Sequence, residues 1–518
     1  MLKSLRLYGL IAMVILSVGM SCGLMATGPS DEDVVTVGRD SVASYSKKKD
    51  VNSLPVVHPR IGEQTCFGDN KSIRFVGRLH NKYDISGPTR DGDIYSPKSI
   101  NIHPSGEKFY VNSLEGSKTV VYTLPELKKT AVINHRFTSS DSALWAAPSG
   151  LFKFRHYKDN LNTFTGKPVE SIFSHDGRYL WVPYYRRSYD LNAQDPSAIA
   201  IIDTKSDKIV KMMEAGVLPK MIAVSPDSKT VAVTHWGDNT VGLIDVSSAD
   251  PAQWRYRSNV VIGHQLIHNF SLTIPVDRDT NTGEALRGTA FSPDGRFLFV
   301  GCMSGGGIAI IDLKEDRYIG KLTGMMPNVR HIVIKDGGLY ASINLAGYVQ
   351  RISMAKVMDA AVRMSGNKGN VLLTGWESAK VASGARTLEV SPKGDFIFVA
   401  CNAGSVICIL DSTMRNVGSI AADSYPVGLD ISADGKWLIT TSQGRKGDGG
   451  NCVDIFELTG IEGLKEYDEV SEMSGQDRPE RVETENGDTD RVSKLQLWVA
   501  LREKIDELWE SGVLVNIV

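Results

Sequence analysis

The chain has 518 residues, 42% of them hydrophobic, with 58 lysines and arginines against 60 aspartates and glutamates. That length and apolar content support a sizeable core, while a net charge of −2 argues against a global electrostatic pull toward nucleic acid or an anionic membrane surface. Six cysteines are too few for a disulfide scaffold, and the lack of Cys-x-x-Cys-His argues against covalently attached haem.

Met1–Ser21 reads as a targeting segment, with Lys3 and Arg6 before an apolar run over Leu10–Val18 that is too short to favour a spanning helix. Leu16–Cys22 (LSVGMSC) is similar to a bacterial lipoprotein signal, which makes Cys22 the lipidated residue and residues 1–22 the part concerned with export. Gly19 and Met20 depart from that pattern, and an ordinary secretory peptide with an incidental Cys22 is the alternative. Residues 23–65 are polar, with Asp31-Glu32-Asp33 and Lys47-Lys48-Lys49 and no sustained apolar period, as in a tether.

Between residues 66 and 460 one phrase recurs. IHPSGEKFYVNS begins at Ile102, FSHDGRYLWVPY at Phe173, VSPDSKTVAVTH at Val224, FSPDGRFLFVGC at Phe291, VIKDGGLYASIN at Val333, VSPKGDFIFVAC at Val390 and ISADGKWLITTS at Ile431. Each is a β-branched or aromatic run on either side of a Gly/Asp/Ser turn, which is a hairpin signal. The turn positions Gly106, Gly177, Ser228, Gly295, Gly337, Gly394 and Gly435 lie 41 to 71 residues apart. A repeat of about 40–45 residues with several strands per copy marks propeller blades. The fold class expected is therefore all-β, a seven-bladed β-propeller, with the longer spacings as insertions. The last copy lacks a fourth strand, and Ser72–Leu79 is placed to supply it and close the ring.

Cys302, Cys401, Cys408 and Cys452 fall in or beside strands and read as buried small hydrophobes, with a Cys401–Cys408 cross-strand disulfide as the alternative. Residues 461–490 are acidic and poor in apolar side chains, as in a linker. Over 491–512, Leu495, Trp498, Leu501, Ile505 and Leu508 follow helical spacing, giving a C-terminal helical extension that either docks on the propeller rim or binds a partner.

The turns of the repeated phrase share one face of the ring, so the connections that lengthen are expected on the other: His135–Pro168, Tyr184–Ser197, Pro251–Leu286, Met358–Ala385 and Gln443–Asn451. Elaborated loops carry function on such scaffolds. Their chemistry is aromatic and basic: Tyr184, Tyr185, Arg186, Arg187 and Tyr189; Trp254, Arg255, Tyr256 and Arg257 with His264 and His268; Phe152, Phe154, Arg155, His156 and Tyr157; and His235-Trp236. Aligning the copies on their turns adds a column at the start of the innermost strand: Lys98, Val169, Lys220, Arg287, Val329, Arg386 and Val427, with Arg330 one place along. Four of these seven are cationic and would ring the channel mouth. Guanidinium and ammonium groups among aromatic faces suit an anionic or planar small ligand. The plainer reading is that each such residue packs a long loop or solvates the surface.

Asp277, Asp279 and Asn281 offer oxygen ligands at alternate positions, as a calcium loop requires, but the glycine comes one place late and no Glu stands twelfth, so an ordinary turn is preferred. No Gly-x-Ser-x-Gly elbow, phosphate-binding P-loop or His-Glu-x-x-His occurs, and nothing pairs a nucleophile with a base.

VAVTHWGDNTVGLIDV (231–246), FVGCMSGGGIAIIDL (299–313) and FVACNAGSVICILDS (398–412) resemble the strand–turn–strand unit of the YVTN family of β-propellers, though none carries the four-letter motif intact. The resemblance covers about residues 70–460. It implies kinship with surface-layer-like and ligand-binding lipoproteins, and more distantly with lactonase-like and haem-d1-type propellers. With the lipoprotein-like start, it looks like an anchored binding protein of a Gram-negative envelope, at the outer membrane, with a small anion, a glycan or an envelope protein as partner. A lactonase-like enzyme with its site at the channel mouth is the alternative.

Overall fold

The computed structural model describes residues 59–82, 89–155, 160–267, 283–444 and 449–461. Cys22, the polar stretch up to residue 58, Asp277, Asp279, Asn281, His156, Tyr157, His268, the acidic stretch 462–490 and the helix expected over 491–512 lie outside them.

Each copy of the repeated phrase folds as a hairpin, and in the third, fourth, sixth and seventh the turn is held by its own serine. In the third copy, Ser225 Oγ donates to Asp227 Oδ1 at 2.6 Å and accepts the Thr230 N–H at 2.9 Å. Ser292 does the same with Asp294 and Phe297, and Ser432 with Asp434 and Trp437. The glycine after the aspartate is left-handed, as at Gly295 (φ 71°) and Gly435 (φ 74°), a conformation glycine adopts without a Cβ penalty.

The hairpins extend into seven antiparallel sheets. Their inner strands are Pro97–Ile102 (blade 1), Phe164–Pro168 with Ile172–Ser174 (blade 2), Pro219–Val224, Leu286–Phe291, Val329–Lys335, Ala385–Val390 and Pro426–Ile431 (blades 3 to 7). The second strands, such as Phe297–Cys302 and Phe396–Cys401, are buried along their whole length. They have a neighbouring blade on both faces, so their sequences run continuously apolar rather than alternating. Seven hydrophobic clusters each join one blade to the next. Val241, Leu243, Leu298 and Val300 knit blades 3 and 4, for example, and Phe75, Phe456, Phe398 and Ile409 knit blades 7 and 6. Burial between blades, not within one, therefore holds the ring. Cys302, Cys401, Cys408 and Cys452 sit in this packing as thiols, with the sulfurs of Cys401 and Cys408 3.8 Å apart.

The ring closes as expected. Lys71–His80 pairs antiparallel with Cys452–Thr459, from Ser72 opposite Thr459 to His80 opposite Cys452. Gln64–Gly68 adds a fifth, outermost strand to that sheet. A buried ion cluster sits at the junction. Arg78 Nε donates to Asp454 Oδ1 at 2.6 Å, its Nη1 lies 3.3 Å from Asp423, and Lys82 also pairs with Asp423.

Two of the insertions differ from the sequence expectation. Met358–Ala385 is not a connection between blades. It takes in most of the helix Met354–Gly366 and the fourth strand of blade 5, Glu377–Lys380, and the chain leaves the third strand on the face of the short turns. The helix buries Met354, Val357, Ala360, Ala361 and Met364 against blades 4 and 5. Likewise Arg255–Val261 is the fourth strand of blade 3, so Trp254 belongs to the turn face, stacked on His175 and Trp181 at 5.1 and 5.2 Å. Arg257 is engaged by Asp316 at 2.7 Å. Trp254, Arg255, Tyr256 and Arg257 are thus not part of the channel-mouth chemistry. A sheet buried on both faces shows no alternation to mark where its outer strand begins.

Candidate functional site

The positions expected at the channel mouth share one irregularity repeated around the ring. In six blades the inner strand pairs with the second strand through its first residue and then shifts register. The shifts follow Pro97, Pro219, Leu286, Val329, Ala385 and Pro426. The first residue within each shift is Lys98, Lys220, Arg287, Arg330, Arg386 or Val427, and Val169 follows the equivalent Pro168 in blade 2. Such a bulge takes a residue out of the ladder and re-aims its side chain. Hydroxyls of the preceding blade fix several of them. Ser342 Oγ donates to the Arg386 carbonyl at 2.7 Å, Thr387 to that of Val427 at 2.7 Å, and Thr441 to that of Lys98 at 2.6 Å.

This register corrects the column read from the turns. Val329 pairs with Ile343 as Leu286 pairs with Cys302, so Arg330, not Val329, is the equivalent of Arg287. Blade 5 turns through Asp336-Gly337, both left-handed, with Lys335 opposite Gly338, and is two residues shorter than the Ser-x-Asp-Gly turn, one of them on the inner-strand side of the glycine. Five of the seven positions are therefore cationic: Lys98, Lys220, Arg287, Arg330 and Arg386.

All five are deeply buried, Lys98 and Lys220 at 4% exposure, Arg330 at 3%, Arg287 and Arg386 at 2%. They also feel one another. Burial holds Lys98 far below the ordinary lysine range; Arg386, Lys220 and Arg330 push the same way, and Glu170 opposes them. Burial, then Arg330 and Arg386, disfavour the charge of Arg287. A cluster of like charges in low dielectric is costly, and a bound anion offsets that cost.

Aromatic faces adjoin the cations on one side. Lys220 Nζ lies 4.7 Å from the centre of the Trp236 ring and 5.3 Å from that of Tyr185, and the Arg287 guanidinium is 5.9 Å from Trp236. Tyr185, Trp236, Val169, Val217, Leu218 and Met303 form an eighth apolar cluster, separate from the seven between blades. Trp236 Nε1 is a buried donor with no acceptor among the described residues. Arg186 is half-buried against Tyr185, donating to its hydroxyl at 2.7 Å.

The other residues expected at the site turn inward. Tyr184 is wholly buried, its ring against Gly166 and its hydroxyl donating to His135 Nδ1 at 2.8 Å. That bond continues through Thr119 to Asn112, which donates to Ser99 and Ser171 on the inner strands of blades 1 and 2. Arg187 is enclosed by Trp145, Phe154 and Phe164 and donates to the carbonyls of Leu161 and Ser197 at 2.5 and 3.0 Å, so it braces the loop instead of facing a ligand. His235 lies against Gly216 and Gly242 and bonds Thr240 at 2.8 Å, while Thr240 donates to Asp238. Burial lowers its pKa to about 3, so the ring is neutral.

A second column escaped the sequence reading: the residue that follows each second strand. It comprises Leu114, Tyr185, Trp236, Met303, Asn344, Asn402 and Gln443, with Tyr185 set by the pairing of Tyr184 with Pro168. The alignment that exposes the cations would have shown it, carried from the turn to the end of the second strand. Arg330 Nη1 donates to Asn344 Oδ1 at 3.4 Å, which ties the two columns together.

No family model matches the chain, and no curated protein matches it. Among solved structures, hydrazine synthase of Kuenenia stuttgartiensis is similar at 15% identity and a TM-score of 0.47, over 69% of this chain and 96% of that one. The β-propeller domain of Cps50 (Swd1) from Myceliophteria thermophila is similar at 10% identity and a TM-score of 0.47, over 70% of this chain and 96% of that one.

Proposed function

We propose that this propeller is a non-catalytic binding module that takes a small anionic ligand at the channel mouth. The observation that carries the reading is the column Lys98, Lys220, Arg287, Arg330 and Arg386, five cations buried at one level of the ring. In this reading the chain is a YVTN-type propeller exported to the envelope of a Gram-negative bacterium and anchored through Cys22. The support for that part is the strand–turn–strand resemblance and the lipoprotein-like start.

Thermal unfolding of the full chain against inorganic phosphate, sulfate and a panel of organic carboxylates and phosphate esters tests the reading. A ligand at a hundred times its Kd adds about 2.7 kcal/mol of stability. The shift should shrink with added salt and vanish in Arg287→Ala and Arg386→Ala. A flat response to every anion would overturn the assignment. Lactone turnover by the parent, lost in the same variants, would establish an enzyme instead.

A further inference from the structure

The second column is not uniform around the ring. Blades 1 to 4 present Leu114, Tyr185, Trp236 and Met303, and blades 5 to 7 present Asn344, Asn402 and Gln443. The three arginines are displaced from the centre of the apolar arc, whereas Lys98 and Lys220 stand within it, in blades 1 and 3. Arg287, Arg330 and Arg386 stand in consecutive blades 4 to 6, while the cation position in blade 2 is Val169, in the same apolar cluster as Tyr185. The two arcs meet at Trp236, between Lys220 and Arg287. We propose that the mouth takes an organic oxyanion, a carboxylate or phosphate ester whose aromatic body adjoins the charged group, rather than an inorganic oxyanion.

The carboxamides are already engaged in holding the frame. Asn344 accepts from Arg330 at 3.4 Å and donates to the Ala385 carbonyl at 3.2 Å, and Gln443 donates to Ser96 Oγ at 2.9 Å. The aromatic arc has a different character. Lys220 lies against both Tyr185 and Trp236, and the Trp236 N–H, 2% exposed, has no acceptor among the described residues. An inorganic oxyanion would use the guanidinium groups and the Trp236 N–H, but would gain nothing from the ring faces. An aromatic oxyanion would gain from both, through charge-assisted hydrogen bonds at one end and stacking at the other.

This inference rests on the anion-binding reading above, and the experiment separates the two. Calorimetric titration of the full chain compares 1-naphthyl phosphate, inorganic phosphate and 1-naphthol. The ester is expected to bind about tenfold more tightly than inorganic phosphate, and 1-naphthol more weakly than the ester. Trp236→Leu should weaken the ester by more than it weakens phosphate, and so remove the advantage of the ester. Arg386→Gln should weaken both anions. Tyr185→Leu is the second variant should Trp236→Leu fold poorly, and the comparison of probes on the parent decides by itself. Equal affinity for ester and phosphate would overturn this inference and leave a simple anion site, whereas naphthol binding as tightly as the ester would show that the charge contributes nothing and would overturn the anion-binding reading with it. Binding of neither anion would overturn the anion-binding reading as well.

Discussion

Arg78 and Arg287 are similarly deep in the molecule and differ in company. Arg78 is bonded to Asp454 and faces Asp423, and against the effect of burial these carboxylates favour its charge. Removing one partner of a buried ion pair leaves the other charge uncompensated, so Arg78→Ala should cost about 3–5 kcal/mol in denaturant unfolding. Arg287 sits among Arg330 and Arg386, which disfavour its charge. Arg287→Met, which removes one of three mutually repelling charges, should abolish the ligand-induced shift in Tm while the ligand-free protein still unfolds cooperatively. A large loss of stability in Arg287→Met would show that the cation is a structural brace. The buried histidines set an acid limit. Burial lowers His135 and His235 to about 3 and His331 to about 4. In the unfolded chain they bind protons near pH 6.5, so the unfolded state holds more protons between that pH and the folded values. Stability is full above about pH 6.5 and declines as pH falls toward 3. Burial acts in the opposite sense on Glu389 and Asp430, raising their pKa values and favouring the fold in acid, so the histidine contribution is read as a difference: His135→Gln should lose less Tm than the parent from pH 7 to pH 4, and an equal loss would contradict a neutral buried ring.

At the scale of single elements, the Ser-x-Asp-Gly turn is the unit the sequence repeats, and its hydrogen bonds explain its composition. Ser292→Ala removes a donor to Asp294 and an acceptor for the Phe297 N–H, and should cost about 1–2 kcal/mol by chemical unfolding. These turns are legible because the serine, aspartate and glycine act within a few residues of one another. The shorter turn of blade 5 is less so. Its Asp336-Gly337 carries the glycine signal without the serine, and aligning on that glycine displaces Arg330 by one place. The helix Met354–Gly366 was legible in principle, since Met354, Val357, Ala361 and Met364 follow one face. It falls where a repeat-based reading anticipates a plain loop.

At the scale of the whole molecule, closure joins chain segments that the sequence holds far apart. Lys71–His80 completes the sheet of Pro426–Ile431, Trp437–Ser442 and Cys452–Thr459. Deleting residues 59–82 would expose the edge of Cys452–Thr459 along its length, and the ion cluster at Asp423 would lose both cations. That truncation is expected to unfold without a single cooperative transition and to aggregate, as read by calorimetry and light scattering. A cooperative, monomeric truncation would show that closure is dispensable.

The number of blades, their order, the closing strand and a cationic column on the inner strands can all be read along the chain. Each follows from local chemistry repeated at an interval, in turn residues, apolar runs and a position that is basic in five of the seven copies. Which basic and aromatic residues come together depends on the packed ring. Tyr184, Arg187 and His235 have the composition of a binding loop, yet they pack against Gly166, Trp145 and Gly216 inside the blades. Arg330 joins the site because of a register shift, not because of its distance from a turn. Whether a side chain faces the channel or the core depends on pairing and on the neighbouring blade, and neither is written in the residue or its nearest neighbours.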